Sequence, residues 1–197
     1  IGNAARNGIL IKGGEHLEKK VDVIAFDKTG TLTMGNPTVT NIIRFNIAED
    51  TLLGISAAIE LKSEHALAKA IIAEANKHNL QLPEVTDFTV YKGKGVKGVI
   101  DGNDYFIGNI RLMKENNIFI QDKVIEILNN EQNEGQTAIM VSDNKTVIGI
   151  ISVADKIRDG ASEMIERLKK IGIKKIVMLT GDSKIIAIFF IPIFKSF

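Results

Sequence analysis

The sequence predicts an α/β protein in which a parallel sheet is interrupted by an inserted α+β domain with an antiparallel sheet. The first observation is a short apolar run, Val21–Phe26, which ends at Asp27 and has the β-branched content of a buried strand. The second is a similar run, Ile176–Leu179, that follows a helix-like stretch, as in the repeating unit of a parallel sheet. The third is the different pattern from about residue 36 to 150, where helical segments and hairpin-like strands are mixed.

The helix before the second strand is predicted over residues 159–170. Its apolar side chains recur at helical spacing on one face, namely Ala161, Met164, Ile165 and Leu168. Gly172 follows this segment and predicts its end, because glycine readily adopts the left-handed conformation that terminates helices.

The intervening region opens with two predicted helices, over residues 51–60 and from Ser63, as its N-cap, to about residue 78. The Asp101-Gly102-Asn103 sequence suits the turn of a hairpin. The further predicted elements are strands at 88–91, 96–100, 104–107, 137–141 and 147–151, and a helix at 122–128.

Composition excludes several classes of protein. The chain has 197 residues, and 25 Lys+Arg against 24 Asp+Glu leave a net charge of +1, which gives no electrostatic reason to expect a nucleic-acid partner. The absence of cysteine excludes disulfide scaffolds, thiolate zinc sites and cysteine nucleophiles. The longest apolar run, 185–194, is interrupted by Pro192 and is far shorter than the roughly 20 residues of a membrane span. We therefore expect this chain to be soluble.

Asp27 is the candidate nucleophile. It follows a predicted strand, as Thr180 does, and reactive groups of parallel sheets gather where the strands end. A carboxylate beside a Gly/Thr-rich loop suits attack on a phosphoryl group, with Lys28 or Mg²⁺ offsetting the charge repulsion. Two residues after Asp27, an aspartate could activate water and hydrolyse the phosphorylated enzyme. This chain has Thr29 there, so an aspartyl phosphate formed at Asp27 is expected to persist.

The heptapeptide Asp27-Lys-Thr-Gly-Thr-Leu-Thr33 is identical to the phosphorylation signature of P-type ATPases, and the chain resembles the heavy-metal-transporting members. Further segments resemble that family in the same order along residues 2–182: 8–15, Ser63–Ala68, 93–95, 108–109, 135–137, 155–158 and 178–182. The resemblance implies a haloacid-dehalogenase-like phosphorylation domain with an inserted nucleotide-binding domain. It divides the chain into residues 1–33 and 152–182 for the phosphorylation domain, 34–151 for the insertion, and 183–197 for an atypical apolar tail.

The resemblance also implies roles for residues around Asp27. Asp27 accepts the γ-phosphoryl group of ATP, and its carboxylate binds Mg²⁺ together with the Thr29 carbonyl. The Thr29 hydroxyl, Thr180 and Gly181 are implied to hold the phosphate oxygens. The full set of catalytic positions besides Asp27 is Lys28, Thr29, Thr180, Gly181 and Asp182.

A second set of residues is implied to bind ATP. Glu60 hydrogen-bonds the adenine and His65 stacks on it, while Gly93 and Gly95 let the backbone approach the nucleotide. Lys94, between these glycines, is a further candidate phosphate contact. Asp155 and Arg158 match the hinge motif between the domains, where Arg158 reaches a phosphate and Asp155 orients it.

Three departures from the family pattern stand out. Ala66 and Asp159 replace prolines, and the tail after Asp182 lacks the family's phosphate-binding lysine and last Mg²⁺ carboxylate. A truncated or frame-shifted reading frame would explain this tail. Because these groups are missing, we expect this chain to form no phosphoenzyme alone. The implied partners are the membrane and actuator domains of a pump at the cytoplasmic face of the membrane, with the transported cation bound elsewhere. The Leu168–Met178 segment resembles zinc/cadmium exporters more than copper exporters.

Two other functions stay open from the residues. The chain could be a non-catalytic nucleotide-binding fragment, in which the inserted domain binds ATP and nothing is phosphorylated. It could also be a soluble phosphatase of the haloacid dehalogenase type, because the fold is shared. Thr29 and the size of the insertion argue against the phosphatase.

Overall fold

A computed structural model of the chain describes residues 21–179, and these residues form two sheets. The smaller sheet pairs β1 (Val23–Asp27) in parallel with β8 (Lys175–Leu179), and Asp27 lies opposite Leu179. A π-helical turn, Lys28–Leu32, follows β1 directly. The predicted parallel pairing of the first and last strands is therefore confirmed.

The larger sheet has six antiparallel strands in the order β2-β7-β6-β5-β4-β3. Its strands are β2 (Thr38–Arg44), β3 (Asp87–Tyr91), β4 (Gly95–Ile100), β5 (Asn103–Gly108), β6 (Thr137–Ser142) and β7 (Val147–Ala154). The helices are α1 (Glu49–Glu60), α2 (Ala66–Lys77), α3 (Ile110–Glu115), α4 (Asp122–Asn133) and, between β7 and β8, α5 (Ala161–Lys170).

Helices cover both faces of the six-stranded sheet. α1 and α2 pack on one face and contribute Leu53, Ile59 and Ile71 to its core, whereas α3 and α4 pack on the other, where Leu112 and Leu128 are buried. Each face buries apolar side chains from alternate positions of the strands, which is the pattern of a sheet packed on both sides. The insertion therefore has a core of its own.

Two glycines of the sheet let α1 approach closely. A Cβ atom at Gly149 would lie 2.3 Å from Leu52 Cδ2, and one at Gly98 would lie 2.6 Å from Ile59 Cγ1. Because Leu52 and Ile59 lie at opposite ends of α1, the helix crosses from β7 to β4 and carries Glu60 toward β4.

The fold class is confirmed, and several local predictions change. β2 was not predicted, because a bulge between Val39 and Asn41 breaks its alternation of apolar and polar residues. α3 is only six residues long, too short for a periodic signal. α4 continues past the predicted end to Asn133, where Glu131 is buried and accepts a hydrogen bond from Asn41 Nδ2 at 3.0 Å.

The prediction that Ser63 is the N-cap of the second helix is wrong. α2 begins at Ala66, and His65 occupies the N-cap position. Ser63 lies two residues earlier and accepts a hydrogen bond from the His65 backbone nitrogen. The predicted domain boundary at residue 151 lies inside β7, and the division of the chain into domains stays a prediction.

Candidate functional site

Asp27 is the last residue of β1, and its side chain is exposed at the end of the parallel pair. The chain turns at once into the π-helical segment, so the carboxylate stands at the carboxyl edge where the sequence predicted it. Of the other predicted catalytic groups, the side chains of Lys28 and Thr29 and the whole of residues 180–182, that is Thr180, Gly181 and Asp182, lie outside what the structure describes. The atypical tail lies outside it too.

Arg158 holds the backbone of the turn after Asp27. Its Nε donates to the Thr33 carbonyl at 2.9 Å, and its Nη2 donates to the Gly30 carbonyl at 3.1 Å. Its own backbone nitrogen donates to the Leu32 carbonyl at 2.9 Å. Arg158 thus donates to three carbonyl groups of one loop, and its predicted contact with a nucleotide phosphate stays a prediction.

Asp155 accepts hydrogen bonds from the same region of the chain. Its Oδ2 accepts from the Thr33 hydroxyl at 2.5 Å and from Gly35 N at 3.0 Å, and its Oδ1 accepts from Asn36 N at 3.2 Å. A carboxylate in this position supplies hydrogen-bond acceptors to backbone N–H groups that lie outside regular secondary structure. Sequence reasoning did not single out Thr33 within the heptapeptide, although a hydroxyl residue at the end of a turn is a recognised hydrogen-bonding signal.

Glu60 is the last residue of α1, and only 6% of its surface is exposed. Among the described residues, Oε2 of this carboxyl is buried and has no hydrogen-bond partner. Burial raises the pKa of Glu60 above its ordinary value, while the hydrogen bond from Ser63 and the charge of His65 act in the opposite direction. A buried acceptor without a donor fits a ligand that supplies an N–H group, such as the amino group of adenine.

His65 lies at the start of α2, five residues after Glu60, and its side chain is exposed. Nδ1 accepts a hydrogen bond from the Leu67 backbone nitrogen at 3.3 Å, so the imidazole caps the helix. The Ser63 backbone nitrogen donates to the Glu60 carbonyl at 2.9 Å and closes the turn between the helices. The structure therefore brings Glu60 and His65 to the same end of the α1–α2 pair, and their binding of adenine stays a prediction.

Gly93 and Gly95 differ in their surroundings. Gly93 has a φ of +71°, and a Cβ added there meets no atom within 4 Å. Gly95 has a φ of +145°, and its Cβ would lie 2.0 Å from the Ile107 carbonyl oxygen and 2.7 Å from the Gly108 Cα. The close approach of β4 and β5 thus explains Gly95 without a ligand, whereas Gly93 leaves open space beside the β3–β4 turn.

Asn109 fixes the turn that contains these glycines. Its Nδ2 donates to the Gly93 carbonyl at 3.1 Å, and its backbone nitrogen donates to the Lys94 carbonyl at 2.9 Å. Asn109 is also the N-cap of α3. Lys94 Nζ lies 2.6 Å from Glu115 Oε2, so this ammonium group already has a carboxylate partner.

The described residues contain one part of the donor set that Mg²⁺ prefers. Mg²⁺ binds oxygen ligands and usually keeps several waters, so the exposed Asp27 carboxylate and the Thr29 backbone carbonyl, two residues later, are donors of the right kind. Within residues 21–179 there is no group of three or more His, Cys, Asp or Glu side chains that could hold a metal ion. The same part of the chain has no helix long and apolar enough to cross a membrane.

Comparison with known proteins agrees with this arrangement. A family model described as haloacid dehalogenase-like hydrolase matches residues 21–195. A probable cadmium-transporting ATPase of Alkalihalophilus pseudofirmus is 43% identical over 192 residues, which are 93% of this chain and 26% of that protein. The chain thus spans about a quarter of the length of the curated relatives it matches.

Solved structures match both the fold and the sequence. A crystal structure of a zinc-transporting PIB-type ATPase in its E2.Pi state matches with a TM-score of 0.71 and 36% identity, covering 98% of this chain and 31% of that chain. The catalytic domain of the CPx-ATPase CopB-B, studied for conformational changes upon nucleotide binding, matches with a TM-score of 0.66 and 30% identity over 93% of this chain and 63% of that chain. This chain belongs to the haloacid dehalogenase-like hydrolases, and within them it matches the catalytic region of the heavy-metal-transporting P-type ATPases.

Proposed function

We propose that this chain is the ATP-binding and aspartyl-phosphate-forming unit of a heavy-metal cation-exporting P-type ATPase. The observation that carries the proposal is the position of Asp27, exposed at the carboxyl end of β1 and followed at once by a turn whose backbone Arg158 holds. A reactive carboxylate needs such a place, where a phosphate can reach it and loop N–H groups can surround it.

ATP binds to the inserted α+β domain in this proposal. The buried Glu60 carboxyl accepts a hydrogen bond from the adenine, and His65 stacks on the base from the start of α2. Stacking of this kind is worth on the order of 1–3 kcal/mol per base. The open space beside Gly93 admits the nucleotide close to the backbone of the β3–β4 turn.

The reaction transfers the γ-phosphoryl group from ATP to Asp27. A carboxylate oxygen of Asp27 forms a bond to the γ-phosphorus, the bond from that phosphorus to the β–γ bridging oxygen breaks, and ADP leaves with the electron pair. The negative charge of the reactants equals that of the acyl phosphate and ADP, so no proton is consumed. Mg²⁺, when bound by Asp27 and the Thr29 carbonyl, supplies charge neutralisation, and Lys28, Thr29, Thr180, Gly181 and Asp182 complete the group around the phosphate.

The partners follow from the same proposal. The unit works with the membrane and actuator domains of a pump, at the cytoplasmic face of the membrane, and the transported cation binds elsewhere in that pump. Cadmium or zinc is the proposed cargo. This choice is supported by the relative named as a cadmium-transporting ATPase and by the zinc-transporting structure.

Incubation with ATP labelled on the γ-phosphate, in the presence of Mg²⁺, tests the proposal. Acid-stable label on the wild-type chain that disappears in Asp27→Asn supports phosphate transfer to this carboxylate. This variant is a matched control, because it keeps the size of the side chain and removes the nucleophilic charge. ATP binding without label is the result expected for this chain alone. The same result with the intact pump supports the alternative of a non-catalytic nucleotide-binding unit. A chain that neither binds ATP nor takes up label overturns both.

A further inference from the structure

Two stretches of chain connect the small parallel sheet with the six-stranded sheet, and they lie side by side. The outgoing stretch follows Leu32, and the return stretch follows Ala154 at the end of β7. Thr33 and Ile157 form an antiparallel bridge between them, and Met34 N donates to the Lys156 carbonyl at 2.8 Å.

Thr33 is the point at which these stretches and the loop after Asp27 meet. The residue is fully buried, at 0% exposure. Its hydroxyl donates to Asp155 Oδ2 at 2.5 Å and accepts from the Gly30 backbone nitrogen at 3.2 Å, while its carbonyl accepts from Arg158 Nε at 2.9 Å. One hydroxyl therefore joins the inside of the loop to a carboxylate 122 positions away.

We propose that Thr33 is a positioning residue that fixes the loop behind Asp27 to the return stretch. The hydroxyl is required because it donates and accepts at once, to Asp155 and from Gly30, which a methyl group cannot do. Asp155 and Arg158 then act on the loop backbone. The inference rests on the proposed function for what the loop is held to do, and its physical part can be tested separately.

Hydrogen exchange of the 197-residue chain, followed by mass spectrometry of its peptides, is the test. Thr33→Val keeps the shape of the side chain and removes the hydroxyl. We expect exchange in peptides covering residues 29–36 to rise about tenfold, the factor for losing one hydrogen bond to a charged group, with β4–β6 unchanged. Thr33→Ser keeps the hydroxyl and is expected to restore exchange to within about twofold of wild type.

Thr89→Val is the matched control, since the same change is made at an exposed position of β3. It is expected to leave the loop unchanged. Asp155→Asn is the second variant should Thr33→Val fail to fold, and it is expected to accelerate exchange of the same loop. Unchanged hydrogen exchange of the loop in Thr33→Val overturns the proposal, and the same result in Asp155→Asn does so if Thr33→Val fails to fold. Equal acceleration of exchange throughout the chain overturns it too.

ATP binding and labelling separate this inference from the proposed function. Thr33→Val is expected to bind ATP within about twofold of wild type, because the groups proposed to bind the nucleotide lie on the inserted domain. In the intact pump the same substitution is expected to slow the formation of label at an unchanged half-saturating ATP concentration. An intact wild-type pump that takes up no label counts against the proposed function, while the exchange result on this chain still decides the role of Thr33. Weakened ATP binding in Thr33→Val with unchanged loop exchange would show that Thr33 acts on the nucleotide and not on the loop.

Discussion

His65 Nδ1 accepts the backbone hydrogen bond of Leu67 at 3.3 Å, so the imidazole proposed to stack on adenine is also the N-cap of α2. A neutral ring that accepts at Nδ1 carries its proton on Nε2, a tautomer assigned from this hydrogen bond. The residue thus combines a structural contact through one nitrogen with an exposed ring, and substitutions can separate the two.

We predict that His65→Asn loses ATP affinity but keeps the stability of the fold. Asparagine is among the best N-cap residues and has no aromatic ring, so the cap is retained and the stacking is lost. The expected loss of ATP binding is about 1–3 kcal/mol by calorimetry. His65→Ala is expected to lose the same affinity and, in addition, about 1 kcal/mol of unfolding free energy in urea. An unchanged ATP affinity in both variants would remove His65 from the nucleotide site.

We predict that Gly93→Ala weakens ATP binding while Gly102→Ala does not. The two glycines are matched, with φ values of +71° and +75° and no atom within 4 Å of an added Cβ. Each substitution is expected to cost about 1–2 kcal/mol of stability, because alanine is strained in the left-handed region. ATP calorimetry and urea unfolding on both variants give the comparison. Equal ATP affinities would show that the space beside Gly93 is not used by the nucleotide.

Gly95→Ala is predicted to be the most destabilising of these glycine substitutions. An added Cβ would lie 2.0 Å from the Ile107 carbonyl oxygen, and backbone atoms cannot move aside as a flexible side chain can. We expect a loss of about 3 kcal/mol or more, from overpacking together with the unfavourable φ. Urea unfolding measures it. A loss no greater than that of Gly102→Ala would contradict the close approach of β4 and β5.

Glu60 is predicted to make stability depend on pH. Burial raises its folded-state pKa above the ordinary value of 4.5, so the stabilising contribution is present below that value and is lost as pH rises through the folded pKa. Glu60→Gln stays neutral and lacks this loss. The variant is therefore expected to gain stability relative to wild type as pH rises from about 4.5 to about 8, measured by urea midpoints. A constant difference in stability between the two proteins across this pH range would show that the pKa of Glu60 is not raised by folding.

The sequence predicted the elements whose signals are local. The strand before Asp27, the paired strands around the Asp101-Gly102 turn and the body of α1 were all found, because an apolar run or a turn residue suffices to indicate them. The ends of the elements were predicted less accurately than their presence. α4 runs further than its apolar pattern, since Asn41 from β2 hydrogen-bonds Glu131 near its last turn.

The candidate site divides in the same way. The resemblance carried by the heptapeptide and the Ser63-Glu-His65 segment gave Asp27, Glu60 and His65 as candidates without coordinates. The structure places each at the end of an element. The sequence could not distinguish Gly93 from Gly95, because their difference lies in what faces them across β5. The resemblance at 108–109 likewise gave no role for Asn109, whose side-chain amide donates to the Gly93 carbonyl.

By itself, then, the sequence determined the fold class, because the signals for strands and helices lie in neighbouring residues. It also gave Asp27 as the candidate nucleophile and, through its resemblance to a known family, Glu60 and His65 as candidates for binding adenine. Only the tertiary structure decided that Asp155 and Arg158 hold the loop after Asp27 and that Thr33 joins them. The physical reason is distance along the chain. These hydrogen bonds connect residues more than 120 positions apart, which lie side by side where β2 pairs with β7.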